Sequence, residues 1–346
     1  GVGTGNDFNN VTITNSGALD DASDVQTSGA IKVNGTLDIT DGQFMPVATS
    51  DFVNVTLSSS NGKLKQAGVG TITVSGTWNN SGGSAASFEG NFGTVAFDAG
   101  GAQSLTSGGI SFYNLSTSTS STDVTIQDAL IVSNNLTLAA STTLDAGSNQ
   151  AISVGRNWDN GNGGTFTSAS GTVTFNGSVN QTITTGGVGT GNDFYNLTIA
   201  NTGSPADPLD VETSGAIKVI ATLDVADGQF MPATSSEFLD VTVSASDGIL
   251  KPASSSSITV SGNWSDASGT FTSASGTVTF NGTISQVITS GGVGAGNDFY
   301  NLTIANTGNP AGSNVSTSGE IKVTGTLDVF DGLFIPATSS EFLDVT

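Results

Sequence analysis

The chain has 346 residues with 36% hydrophobic side chains, 47 Gly, neither Cys nor His, and a formal net charge of −22. That charge repels nucleic acid phosphates and anionic membrane surfaces. Without Cys there are no disulfides, and without His as well, nucleophilic triads and most metal hydrolases are excluded. No apolar stretch approaches the roughly eighteen residues of a membrane helix, and Gly, Ser, Thr and Asn crowd out helix formers, so β-structure is expected nearly throughout.

The first element is already a copy. Phe8 to Ile13 is a degenerate form of Phe-Tyr-Asn-Leu-Thr-Ile, which stands at 194–199 and 299–304, with a second degenerate form starting at Phe112. The leading Phe residues are 104, 82 and 105 positions apart. A chain that repeats itself specifies a shape before it specifies a reaction. The copies mark sequence units 1–109, 110–187, 188–292 and 293–346 of one continuous solenoid, the last unit truncated. Glycine-rich runs at 1–7, 186–193 and 291–298 precede three of the copies. They have no following helix and so are not dinucleotide fingerprints, and they do not recur in the tandem fashion of calcium-binding nonapeptides; tight connections between coils account for them.

Within the third unit, alternating apolar runs fall at 196–199, 217–225, 238–243, 258–260 and 277–280. They are separated by Gly, Asn and Ser clusters that make turns. A spacing of about twenty residues fits one coil of a parallel β-helix, with about three short strands per coil. The short unit differs from its neighbours by 22 and 23 residues, about one coil, and the missing material lies between Leu115 and Ile152. The fold class read from this is an all-β parallel β-helix of about sixteen coils. Tandem β-sandwich domains are the alternative, because a unit of about 105 residues has the size of an immunoglobulin-like domain.

Trp78, Trp158 and Trp264 occupy one repeated frame, Ile-x-Val-x-Gly-x-Trp, and read as packing residues rather than a sugar-stacking array. Phe166, Phe175, Phe271 and Phe280 read as interior anchors of about 1.5–3 kcal/mol each. Asp38, Asp224 and Asp328 precede Asp41, Asp227 and Asp331 in a recurring Leu-Asp-x-x-Asp-Gly segment read as a turn. Two readings stay open: a Ca²⁺ site built from paired carboxylates, or a solvated turn in which Gly takes φ > 0, which is favoured. No cofactor is required. Asn10, Asn114, Asn196 and Asn301 form Asn-x-Ser/Thr triplets and suit the corner of a coil. Lys32, Lys218 and Lys322 are one position copied three times, Arg156 has no acidic neighbours in sequence, and no single unrepeated cluster of acids and bases is evident. Thr-x-Thr pairs such as Thr12/Thr14 and Thr277/Thr279 invite an ice- or polysaccharide-binding face, but they skip rungs.

The succession Gly-Asn-Trp (262–264), Gly-Thr-Phe-Thr (269–272), Gly-Thr-Val-Thr-Phe-Asn-Gly (276–282), Gln-x-Ile-Thr (286–289) and Phe-Tyr-Asn-Leu-Thr-Ile resembles the β-strand repeats of very large bacterial surface proteins. It is similar to the right-handed β-helices of the filamentous-haemagglutinin and autotransporter-passenger class. The resemblance implies export to the cell surface or into a secreted filament and roles in adhesion, filaments or matrix. The lack of an acid-and-base cluster argues against an enzyme, the unpaired strand edges at a β-helix end are expected to pair with copies of the chain, and surface glycans are a further expected partner. Residues 337–346 repeat 233–242, where the apolar run continues to Val243, so the polypeptide is expected to run on beyond Thr346, with any export signal outside Gly1.

Overall fold

The computed structural model describes residues 7–16, 24–47, 49–118, 121–203, 211–294, 296–308 and 314–346. The copy of the glycine-rich run at 1–7 lies outside the described residues except for Asp7. The chain is a β-solenoid of about 14 turns whose strands stack in parallel, and among the described residues there is no helix. Parallel pairing excludes tandem β-sandwiches, whose sheets are antiparallel. The turn count falls below sixteen because coils are longer than twenty residues on average: ladder partners lie from 18 residues apart (Leu37 beside Val55) to 30 (Gln181 beside Val211). The variation sits in the connections, so the faces keep their register. Two compact units are present, Gly1–Gly171 and Thr172–Thr346.

Most coils contribute a strand segment to each of three faces. The strand Lys32–Met45 makes all three without a break: Lys32 pairs Asp51, Leu37 pairs Val55, and Gly42 pairs Gly62. Lys218–Met231 does the same in the second unit. Alternation puts every second residue inside, and parallel register then stacks like on like. One inward column of the first unit runs Val33, Phe52, Val74, Phe97, Thr117, Leu138. Its counterpart in the second runs Val219, Phe238, Val260, Phe280, Ile304. Phe166, Phe175, Phe271 and Phe280 are all buried, as the repeat pattern predicts. So are the three Trp rings, each packed edge-on against a Phe: Trp78 on Phe88, Trp158 on Phe166, Trp264 on Phe271.

Corners need polar groups, because a turning backbone loses ladder partners. Asn supplies them. The Oδ1 atoms of Asn10, Asn54, Asn196 and Asn301 accept hydrogen bonds from the amides of Thr36, Thr77, Thr222 and Thr326 on the next coil. Asn114 Oδ1 accepts from Asn134 Nδ2 at 2.8 Å and from the Asn135 amide at 3.3 Å. The Gln of Gln-x-Ile-Thr works inside. Gln286 Nε2 donates to the carbonyls of Val260 and Gly262, while its Oε1 accepts from the Gly282 amide and Asn306 Nδ2. A buried amide with all these partners fixes the bend it spans.

The sequence repeat and the coil are out of phase. Trp78 stacks between Val55 and Leu105, but Trp158 stacks beside Leu136, in the column that holds Ile72, Val95 and Leu115. From Trp78–Asn79 to Trp158–Asp159 the chain advances eleven strands, three to a coil, and so arrives two faces further on. The second unit behaves alike: Leu223 stacks with Val241 and Trp264, whereas its copy Leu327 joins the column of Ile258, Val278 and Leu302. Equivalent residues of successive repeats therefore point to different sides.

Removing an interior ring leaves a cavity that flanking coils cannot close, since their spacing is fixed by the ladder at about 4.8 Å. Trp158→Ala is expected to cost about 3–5 kcal/mol, read as a lower urea midpoint by far-UV circular dichroism. Asn54→Ala, which orphans only the Thr77 amide, is expected to cost about 1–2 kcal/mol.

Candidate functional site

The first two Leu-Asp-x-x-Asp-Gly segments are not turns. Each lies within a long strand, at a bulge where the register slips: Thr12 and Thr14 face Asp38 and Asp41, and Thr198 and Ala200 face Asp224 and Asp227. Asp328 and Asp331 face Thr303 and Ala305 across the same slip, but there the strand ends at Asp331 and Gly332 forms a bend with φ 90°. The glycine does take positive φ, 73° at Gly42, and a Cβ there would stand 1.9 Å from the Asn15 carbonyl oxygen. The carboxylates are occupied separately. Asp38 accepts from Ser58 Oγ at 2.6 Å, and Asp41 accepts from the Gly42 amide at 3.0 Å. Among the described residues no three acidic or other metal-ligating side chains gather at one point.

The glycine-rich run at 186–193 is a tight connection between strands. Gly187, Gly189 and Gly191 have positive φ, and Asp193 Oδ1 accepts from the Gly189 amide at 2.8 Å. Thr259, Thr279 and Thr303 stack on consecutive coils, a longer Thr run than the sequence spacing shows, but Glu237 and Asp328 bound it at either end.

An unrepeated cluster does exist, in the first unit. Gly62–Lys65 stacks on Phe88–Glu89, with Lys65 directly beside Glu89. Glu89 takes Lys63 Nζ at 2.7 Å and Lys65 Nζ at 3.5 Å. Hydrogen bonding to Lys63 holds the Glu89 carboxyl below its ordinary range despite the opposing effect of burial, with the charges of both lysines adding to the effect. The turn that follows carries Asn91 and Phe92, both with positive φ (39° and 65°). Phe92 is 66% exposed and meets Tyr113 of the next coil edge-on, ring centres 5.0 Å apart at 82°. Asn91 Nδ2 anchors the turn to the Gln66 carbonyl at 2.7 Å.

Alignment of the copies isolates these residues. Lys63, Glu89 and Phe92 stand where the second unit has Ile249, Thr272 and Ser275, while Lys65 is matched by Lys251 and Tyr113 by Tyr300. The repeat pattern draws attention to what recurs, and these residues depart from it. A residue-by-residue comparison of 62–93 with 248–276 was the available signal.

A second departure is interior. The residue two after each Trp is Asn80, Asn160 or Asp266. Asn160 Oδ1 accepts from Trp158 Nε1 at 2.9 Å, and Asn80 Nδ2 donates to the Ser84 and Ser107 carbonyls. Asp266 is fully buried; its Oδ1 accepts from the Gly291 amide at 3.2 Å and its Oδ2 finds no hydrogen-bond partner. Burial pushes this carboxyl up to about 7, against the opposing hydrogen bond from Gly291.

No protein-family model, curated protein or solved structure matches the chain.

The Asp266 shift sets a pH dependence. The folded state holds the proton up to about pH 7 while the unfolded chain releases it near 3.8, so stability falls as pH rises through that interval. The full difference corresponds to about 4 kcal/mol. Asp266→Asn, the residue of the other copies, is expected to remove this slope. Urea midpoints measured at pH 4.5 and pH 8 for both proteins check it, and equal slopes would contradict it.

Proposed function

We propose that the chain is a non-catalytic structural and adhesive segment of an extracellular bacterial surface fibre, assembled from copies of itself end to end. The observation that carries this reading is the parallel ladder that stacks coil on coil within each compact unit, maintained by residues copied along the sequence. Its inward columns are mostly apolar, its corners are bridged by Asn side chains, and Gln286 finds partners for both ends of its amide inside. The outermost coil of any such ladder presents unpaired amides and carbonyls that another β-strand can complete. The charge of −22 keeps a sheet-rich particle dispersed in water and disfavours nucleic acid as a partner.

A second reading, a polysaccharide-binding adhesin stalk, is favoured by the exposed Phe92 packed edge-on against the half-buried Tyr113. A polysaccharide-degrading enzyme is supported less well. Glycoside hydrolysis takes two carboxyl groups flanking the scissile bond, and Glu89 is held by two lysines instead.

Negative-stain microscopy of the purified protein, with Ca²⁺ and with a chelator, tests the main reading. Fibres of uniform width that lengthen with protein concentration are expected. Particles that stay the size of one chain at high concentration under both conditions would contradict self-assembly.

A further inference from the structure

We propose that Phe92 and Tyr113 form the floor of a binding site for a neutral polysaccharide, with Lys63, Lys65 and Glu89 supplying its polar rim. The inference rests on the adhesive part of the function proposed above and assigns it a place.

The turn itself does not require an aromatic residue. In all three copies it closes with the same hydrogen bond, Gly93 amide to Gly90 carbonyl at 2.7 Å, Gly171 to Ser168 at 3.0 Å and Gly276 to Ser273 at 3.1 Å. The positions equivalent to Phe92 are Ser170 and Ser275, which lack the positive φ. Phe92 instead carries a bulky side chain at φ 65° and leaves its ring two-thirds exposed, an arrangement unfavourable to folding on both counts. A residue that the scaffold does not need, held in a strained backbone, is a candidate for recognition.

The chemistry selects the ligand class. Two rings at 82° offer one face and one edge to a sugar-sized object, and Asn91 locks the turn beforehand through Gln66, so little ordering is left for binding. Sugar C–H faces pack on aromatic rings, and sugar hydroxyls pair with charged groups, of which Lys63, Lys65 and Glu89 lie on the two adjoining strands. A protein partner would need roughly 800 Å² of matching surface; a single aromatic pair beside an ion cluster is of glycan size. The charge of −22 disfavours acidic polymers, which leaves neutral ones.

The test uses the whole chain in affinity electrophoresis and calorimetry with soluble β-glucan and xyloglucan, and with polygalacturonate as the acidic control. Phe92→Ser installs the residue of the other copies, so it is expected to fold with an unchanged circular dichroism spectrum and to bind a neutral glucan about tenfold more weakly or worse; Tyr113→Ala is expected to follow it. Glucan binding that survives Phe92→Ser would overturn this site while leaving the adhesive reading intact. Binding to no glycan, or to polygalacturonate alone, would overturn the proposal, and loss of self-association rather than glucan binding in Phe92→Ser would assign the pair to contacts between chains instead. Fibre formation is measured separately, so that loss of glucan binding and loss of self-association are told apart.

Discussion

Everything in this chain depends on parallel hydrogen bonding between coils. That ladder fixes neighbouring strands about 4.8 Å apart and brings a residue next to its partner one coil on. A coil has little interior of its own, so each apolar side chain is buried largely by the ones directly above and below it, helped by ring pairs across the coil such as Trp78 and Phe88. The columns Val33–Phe52–Val74–Phe97 and Val219–Phe238–Val260–Phe280 are the direct result. Polar interior groups obey the same rule. Gln286 spans two coils with its amide, and the corner Asn residues hand a side-chain oxygen to the amide of the following coil.

The phase difference between repeat and coil has consequences for the surface. If the repeat held a whole number of coils, every copied residue would lie on one line along one face, and copied acids such as Asp224 and Asp328 would form a row. Because each repeat ends two faces further round, copied side chains are distributed over the faces. This limits repulsion in a chain with 29 acidic and 7 basic residues. It also means that a recognition surface on one face cannot be built from the copied residues alone. Residues that break the copy, such as Lys63, Glu89 and Phe92, can form one.

Much of the fold was legible in the sequence for a simple reason. Alternation gives the strands, parallel stacking makes equal spacings visible, and the frame shared by Trp78, Trp158 and Trp264 marks residues that the interior demands. The corner role of Asn196 and Asn301 followed from their place at the start of a strand. Other features were hidden. The Leu-Asp-x-x-Asp-Gly segment carries turn residues, yet a bulge absorbs Gly42 inside a continuous strand, and only the partner strand decides between the two. The rotation of the repeat about the axis depends on counting strands too short to read singly, such as Trp78–Asn79 and Phe88–Glu89. The aromatic and charged cluster joins Lys63, Glu89 and Tyr113 from three successive coils, a proximity that exists only after coiling.

A Cys-free chain allows the ladder to be tested by cross-linking. Thr259 and Thr279 are direct partners on adjacent coils, and Thr303 is the partner of Thr279. Parallel stacking puts adjacent partners within the 4.4–6.8 Å that a disulfide spans between Cα atoms, and places positions two coils apart at about 9.6 Å, beyond it. The doubly substituted chains Thr259→Cys/Thr279→Cys and Thr279→Cys/Thr303→Cys are therefore predicted to form an intramolecular disulfide on mild oxidation, while Thr259→Cys/Thr303→Cys does not. Failure of both adjacent pairs to close, or closure of the distant pair in their place, would contradict the parallel solenoid.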